Sequence, residues 1–228
     1  MKCAIMQPTY LPWAGYFNLI EQVDAFVFLD DVQFRRGSWQ ARNRVLLQGR
    51  EHMLTVPTRR MGLDTRICQA RISERSDWWR VHWRTLEAAY GKAAHGAEVL
   101  AILASHYTTE ASPLLSELNQ AIIEGICRAL GITTRFVRAT DLGCAGDRSI
   151  HLVNICESLK CDQYLSPAGS REYLEQDGFT GLTTVGLAFQ EFTPVPYTQY
   201  RTTGFVSHLS IVDVLANKGV GFTKDYIG

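Results

Sequence analysis

Two short apolar runs, Lys2 to Met6 and Asp24 to Leu29, each end at polar residues, and a stretch with helical spacing lies between them. No other feature restricts the fold as much. The first run breaks at Gln7-Pro8 and the second at Asp30-Asp31, while Phe17, Leu19, Ile20 and Val23 recur at helical spacing from Gly15 to Val23. Continuous apolar runs of this length read as strands buried on both faces, the habit of parallel sheets. A β-loop-α-β unit of this kind has one ordinary solution, a parallel pair joined by a right-handed crossover.

The rest of the chain continues the alternation after an interruption. Arg44 to Gln48 and Glu51 to Val56, joined at Gly49-Arg50 and closed by Pro57, read as a hairpin. Three helices are expected next: Asp77 to Tyr90 capped by Ser76, a looser one near Ala97 to His106, and Pro113 to Leu130. The last has Ser112 as N-cap, Pro113 at N1 and Gly131 past its end. Thr134 to Thr140 then reads as a strand, Asp147 to Leu159 as a helix, Gln163 to Ser166 as a strand, Ser170 to Glu175 as a short helix and Thr183 to Glu191 as a strand. The expectation is one α/β domain over residues 1–228, with a Rossmann-like, mostly parallel sheet and a helical insertion or cap over 76–131. A nucleotidyltransferase-like topology is one form it can take. With 228 residues, 46% of them hydrophobic, a sizeable core is available.

Charge narrows the partners. Twenty-three Lys+Arg balance twenty-three Asp+Glu, so the chain as a whole is no polyanion binder. Between Val32 and Leu63, however, Arg35, Arg36, Arg42, Arg44, Arg50, Arg59 and Arg60 face only Glu51, and any phosphate role must rest on that segment. No apolar run approaches the roughly 18 residues of a membrane span, and Met1 to Pro8 does not read as a signal peptide. The six cysteines form no CxxC pair and no zinc spacing. Free, mostly buried thiols and a cytoplasmic location are expected.

Open α/β sheets bind ligands at the carboxyl ends of their strands, which points to the residues after Met6 and after Leu29. In the first loop, Gln7, Tyr10, Trp13, Gly15 and Tyr16 are candidate substrate contacts, with Gly15 able to admit a ligand at a helix mouth. Trp13-Ala14-Gly15-Tyr16 stands where nucleotidylyltransferases carry H-x-G-H, without the histidines. Asp30 and Asp31 could orient or deprotonate a nucleophile. No metal site is assigned there, since no histidine lies nearby in sequence. Gln33, Trp39, Gln40, Arg42 and Asn43 supply amides, an aromatic face and guanidinium groups suited to a sugar or nucleotide. The plain alternatives are a rigid aromatic loop and a solvated basic hairpin. Trp78, Trp79 and Trp83 read as core, and Asp147 with His151 as a surface ion pair four residues apart on a helix. Near the end, Ser210 and Asp213 have capping-box spacing before an apolar run; Ser207, His208 and Ser210 could also contact an anion there, and His208 is the best-placed general base of that half. G-x-S-x-G, Walker, G-x-G-x-x-G and H-E-x-x-H motifs are missing from the sequence, and no cofactor is assigned.

The stretches Met6-Gln7-Pro8-Thr9-Tyr10-Leu11-Pro12-Trp13-Ala14-Gly15-Tyr16-Phe17, Asp30-Asp31-Val32-Gln33-Phe34, and Trp39 with Arg42-Asn43-Arg44 resemble the WbqC-like family of bacteria. Leu54-Thr55-Val56-Pro57, Tyr164-Leu165-Ser166 and Leu209-Ser210-Ile211-Val212-Asp213 agree, so the resemblance spans the chain. It implies an association with O-antigen and lipopolysaccharide synthesis and a transferase passing a glycyl or other acyl group to an amino sugar. Relatives often carry Pro-Trp where this chain has Ser207-His208.

The expected function is therefore aminoacyl or acyl transfer to the amine of a nucleotide-linked sugar, or another small amine. An aminoacyl-tRNA or other acyl donor would supply the group. Asp30 or Asp31 would act on the amine, and Arg42 with Asn43 would hold phosphate. A nucleotide- or tRNA-binding module without catalysis, and a diverged nucleotidylyltransferase-like enzyme, are the alternatives.

Overall fold

The computed structural model describes residues 1–74, 77–108 and 112–228. The chain runs β1 (Lys2–Met6), α1 (Ala14–Glu21) and β2 (Ala25–Phe28), then a hairpin of β3 (Arg42–Leu47) and β4 (Arg50–Thr55). Three helices follow, α2 (Trp78–Tyr90), α3 (Gly96–Leu103) and α4 (Leu115–Ala129), before β5 (Arg135–Arg138), α5 (Ala139–Leu142), α6 (Arg148–Ser158) and β6 (Gln163–Ser166). The last elements are α7 (Arg171–Gln176), α8 (Phe179–Leu182), β7 (Gly186–Phe189) and α9 (Ile211–Ile227).

Five strands form one sheet in the order β5-β2-β1-β6-β7, every neighbouring pair parallel. Counted in chain order within the sheet this is 3-2-1-4-5, the doubly wound arrangement whose order reverses between its first and fourth strands. The reversal lies between β1 and β6. The fold class expected from the sequence is therefore observed. The two-residue period divides the central strands between two cores: Ala4, Phe26 and Phe28 point to one side with α1, α4 and α9, and Cys3, Ile5, Ala25 and Val27 to the other with α6, α7 and α8. Everything from β3 to α4 is inserted between the neighbouring strands β2 and β5. The six cysteines are free, four of them buried. Among the described residues, no helix is long and apolar enough to cross a membrane.

Boundaries shift where tertiary pairing takes over. Residue Ser76, expected to cap α2, lies outside the described residues. Helix α4 starts at Leu115 rather than Pro113, because Arg71 and Leu114 pair in a short bridge and the Pro113 carbonyl accepts from Ile72. Ser112 is thus no N-cap of the helix; its hydroxyl accepts from the Leu114 amide. At the other end Gly131 sits at φ 68, and the Ile132 amide reaches back to the Cys127 carbonyl, the Schellman closure that favours glycine. In the hairpin, Gln48 and Gly49 both have positive φ, as a two-residue type I′ turn requires.

A cleft at the sheet reversal

Loop 7–13, leaving β1, is fixed on several sides. Its Tyr10 amide donates to the Trp39 carbonyl and its Pro12 carbonyl accepts from Ile211 at the start of α9. Asn119 of α4, fully buried, donates to the Pro8 carbonyl at 3.1 Å and to the Gln40 carbonyl at 2.8 Å, tying this loop to the segment after β2. Two adjoining chambers result, of about 310 Å³ and 330 Å³, and Met6, Thr9 and Trp39 line both.

The first chamber is walled by Trp13, Tyr16, Trp39, Asn43, Arg44 and His208. Trp39 is 49% exposed, and the Arg42 and Arg44 guanidinium carbons stand 5.9 Å and 5.7 Å from its ring centroid. Period two in β3 explains the pair: Arg42 and Arg44 share one face while Asn43 turns inward. The His208 ring lies 4.8 Å from that of Trp13 at an interplanar angle of 31°. His208 adopts φ 56, a left-handed conformation uncommon for a side chain of this size and concentrated at functional sites. Its Nδ1 bonds Ser207 Oγ at 2.9 Å, and its carbonyl accepts from Arg44 at 3.2 Å. The second chamber opens over the carboxyl ends of β1 and β6, between Gln7, Ser38 and Gln40 on one side and Leu152, Pro167, Ser170 and Tyr173 on the other. This is the crevice where doubly wound sheets bind ligands.

Several expected contacts lie elsewhere. Tyr10 is fully buried, its hydroxyl 2.8 Å from His82 Nδ1 and 2.5 Å from the Tyr107 hydroxyl. Gly15 does lack a side chain for a steric reason, but the space is already filled: a Cβ there would stand 2.2 Å from the Trp13 indole. Glycine lets Trp13 fold back over the first turn of α1 and wall the chamber. Asn43 lines the chamber but directs its amide to the Tyr10 carbonyl and the Arg44 amide; Arg42 lines neither chamber. Gln33 belongs to a separate groove. Ser210 is 1% exposed and caps α9 through Val212. Asp213 is buried on Tyr197 and Gln199 and does not reach back to Ser210, so the capping box is half formed. Gln7, at the chamber wall, accepts from Gln40 at 2.8 Å.

The two aspartates have separate surroundings. Asp30 is 2% exposed and accepts from the Thr140 amide and hydroxyl at 3.0 Å and 2.6 Å, holding α5 against β2. Asp31 meets His151 Nε2 at 3.1 Å and 3.2 Å through its two oxygens. The sequence pairs His151 with Asp147, but the structure gives it to Asp31 instead, because parallel strand order carries the end of β2 past the start of α6. Both side chains are about nine-tenths buried, and Leu29 and Leu152 beside them line the second chamber. The Asp31 hydrogen bond raises the His151 pKa against the opposing pull of burial. A raised imidazole stabilises the fold below its usual value near 6.5, and that stabilisation disappears as pH rises through the folded-state value. Asp31→Asn is expected to cost about 2 kcal/mol at pH 5.5 and clearly less at pH 9. Urea unfolding at both pH values tests this; equal losses would contradict it. Among the described residues no group of three or more His, Cys, Asp or Glu could hold a metal ion.

The model of the WbqC-like protein family matches residues 7–224, nearly the whole chain. The chain belongs to the WbqC-like protein family. An uncharacterized protein of Mycobacterium tuberculosis, Rv1507c, is 34% identical over 228 residues, covering 99% of this chain and 97% of that one. No solved structure matches.

The sequence did not single out Thr9, Ser38, Asn119, Pro167, Ser170 or Tyr173. Pro167 follows a predicted strand directly and Ser170 opens the helix expected after it, and those signals could have marked them. Nothing local marks Asn119, whose role depends on two loops far away in sequence.

Proposed function

We propose that the protein is a transferase that seats a nucleotide-linked amino sugar in the two-chambered cleft and joins an acyl or aminoacyl group to its amine. The observation that carries this reading is the placement of the cleft over the carboxyl ends of β1 and β6, with the exposed face of Trp39 between its chambers. Two chambers of about 310 Å³ and 330 Å³ suit a substrate with two bulky parts, a nucleoside and a sugar. Trp39, with the Arg42 and Arg44 guanidinium groups near its ring, offers a stacking surface to a base or sugar ring.

In this reaction the amine nitrogen attacks the acyl carbonyl carbon, a C–N bond forms, and the bond to the donor's leaving group breaks with its electron pair. The proton released by the nitrogen passes to the His208 imidazole, which can accept at one nitrogen while the other stays on Ser207, and is returned to the leaving group. Asp31, bonded to His151 beside Leu29 and Leu152, supports the wall of the other chamber. Asp30, engaged by Thr140, fixes α5 against β2. The nucleotidylyltransferase reading has less support, since the Trp13 indole occupies the space beside Gly15 that a phosphate would need.

Titration calorimetry against nucleoside-diphosphate sugars, with and without a free amine, tests the proposal. Amine-bearing sugars should bind, and Trp39→Ala should weaken them about fivefold to a hundredfold, the roughly 1–3 kcal/mol of a lost stacking contact. His208→Gln should leave the affinity within about threefold while abolishing acyl transfer in a panel of donors. Failure of every sugar nucleotide to bind would refute the reading.

A further inference from the structure

The arginines that the sequence presents as one cluster separate into two in the fold. Arg42 and Arg44 attend Trp39, whereas Arg35, Arg36, Arg59 and Arg60 line a groove of their own, about 610 Å³ in volume, with Phe34 and Met61 packed on the core at its base. The groove is built by tying two loops together. The Phe34 amide donates to the Thr65 carbonyl at 2.8 Å, the Gln33 side chain donates to the Leu63 carbonyl at 2.7 Å, and Gln33 pairs with Arg66 in a short bridge.

Its charge is poorly compensated. Arg59 meets Glu74, but Arg35, Arg36 and Arg60 are exposed and have no carboxylate within 4.0 Å among the described residues. Concentrating guanidinium groups around one concavity costs self-repulsion, which a bound anion relieves. None of these arginines is buried, and they are spread over two loops, so the groove suits an extended chain of phosphates better than one compact anion. Leu63, 85% exposed, and the half-buried Phe34 add apolar surface on which bases can lie.

We propose that this groove binds the sugar-phosphate backbone of a single-stranded nucleic acid. The site is distinct from the cleft but borders it. The Arg35 amide donates to Gln40 Oε1, and Gln40 lines the second chamber and bonds Gln7. The loop carrying Arg35 is thereby joined to the cleft wall through Gln40. The inference rests on this groove and stands whether or not the cleft is a transferase site.

Fluorescence anisotropy with a labelled single-stranded RNA of about 12 nucleotides, over about 50–300 mM NaCl, tests it. Binding should weaken with salt, with a log-log slope of about −2 to −3, the value for three or four phosphates on a single strand. The R35A/R36A/R60A variant should lower the slope magnitude by about 2 and the affinity at low salt at least tenfold. All three side chains are exposed, so its circular dichroism and melting should match the parent. R80A/R171A, which removes two exposed arginines elsewhere, should bind as the parent does. Absence of RNA binding at low salt, equal loss in R80A/R171A, or full displacement by micromolar inorganic triphosphate would overturn the proposal. Loss of sugar-nucleotide binding in Trp39→Ala bears on the cleft alone.

Discussion

Replacing Asp213 by alanine should lower stability by about 3 kcal/mol, read as a shifted midpoint in urea unfolding at neutral pH. The carboxyl is fully buried at the start of α9, where one of its oxygens accepts from Tyr197 and Gln199, each at 2.8 Å. Gln199 also clasps the backbone of Val206 on both sides, so these bonds close the loop that leads into His208. Truncation leaves two donors unpaired in the interior, the costly case for a hydrogen bond. Burial raises the Asp213 pKa, opposed by those donors. A raised carboxyl favours the fold below its usual value near 3.9, and that contribution is lost as pH rises through the folded-state value. Asp213→Asn keeps an acceptor and removes the titration. It should therefore lose less than alanine and show a flatter stability profile above pH 4. A D213A midpoint within about 1 kcal/mol of the parent would contradict this account.

Acid should weaken the protein through His82. Burial lowers its pKa to about 4, against a hydrogen bond to the Thr55 backbone that pulls the other way. Its Nδ1 lies 2.8 Å from the Tyr10 hydroxyl, which in turn lies 2.5 Å from that of Tyr107. A neutral ring accepts from Tyr10 and closes this chain, whereas a protonated one places a proton against it. Because the folded-state value is below the unfolded one, stability is full above about pH 6.5 and is lost as pH falls towards 4. The loss is about 3 kcal/mol. His82→Gln, which keeps an acceptor for Tyr10, should remove that loss while Asp31→Asn keeps it. Thermal melts between pH 7 and pH 4 distinguish the two, and an unchanged acid slope in His82→Gln would refute the assignment.

The N-terminal unit was legible because its elements carry their own signals. β1 has the boundaries its apolar run predicts, and β6 likewise runs from Gln163 to Ser166 as expected. Helix ends were less legible. α4 begins late because the Arg71 strand segment takes the preceding residues, a contact across more than forty positions. At the site, Trp13, Trp39 and His208 line one chamber, while Tyr10, Ser210 and Asp213 are turned into the interior. Aromatic and polar residues in a loop after a strand announce a pocket, but their types do not say which of them face it. The pairing of His151 was misread for a related reason. Helical spacing puts Asp147 within reach, yet a partner delivered by a neighbouring strand stands closer.

By itself the sequence determined that parallel buried strands alternate with helices, that the loop after the first strand is stiff and aromatic, and that positive charge gathers between Arg35 and Arg60. These follow from periodicity, proline and composition, which act over a few residues. Tertiary structure decided where the strand order reverses, and hence that loop 7–13, Trp39 and Ser170 border one cleft. It also decided that Asp31 belongs to His151 and that the arginines divide between a cleft and a groove. Those outcomes depend on which strands become neighbours, and many residue patterns are compatible with more than one order.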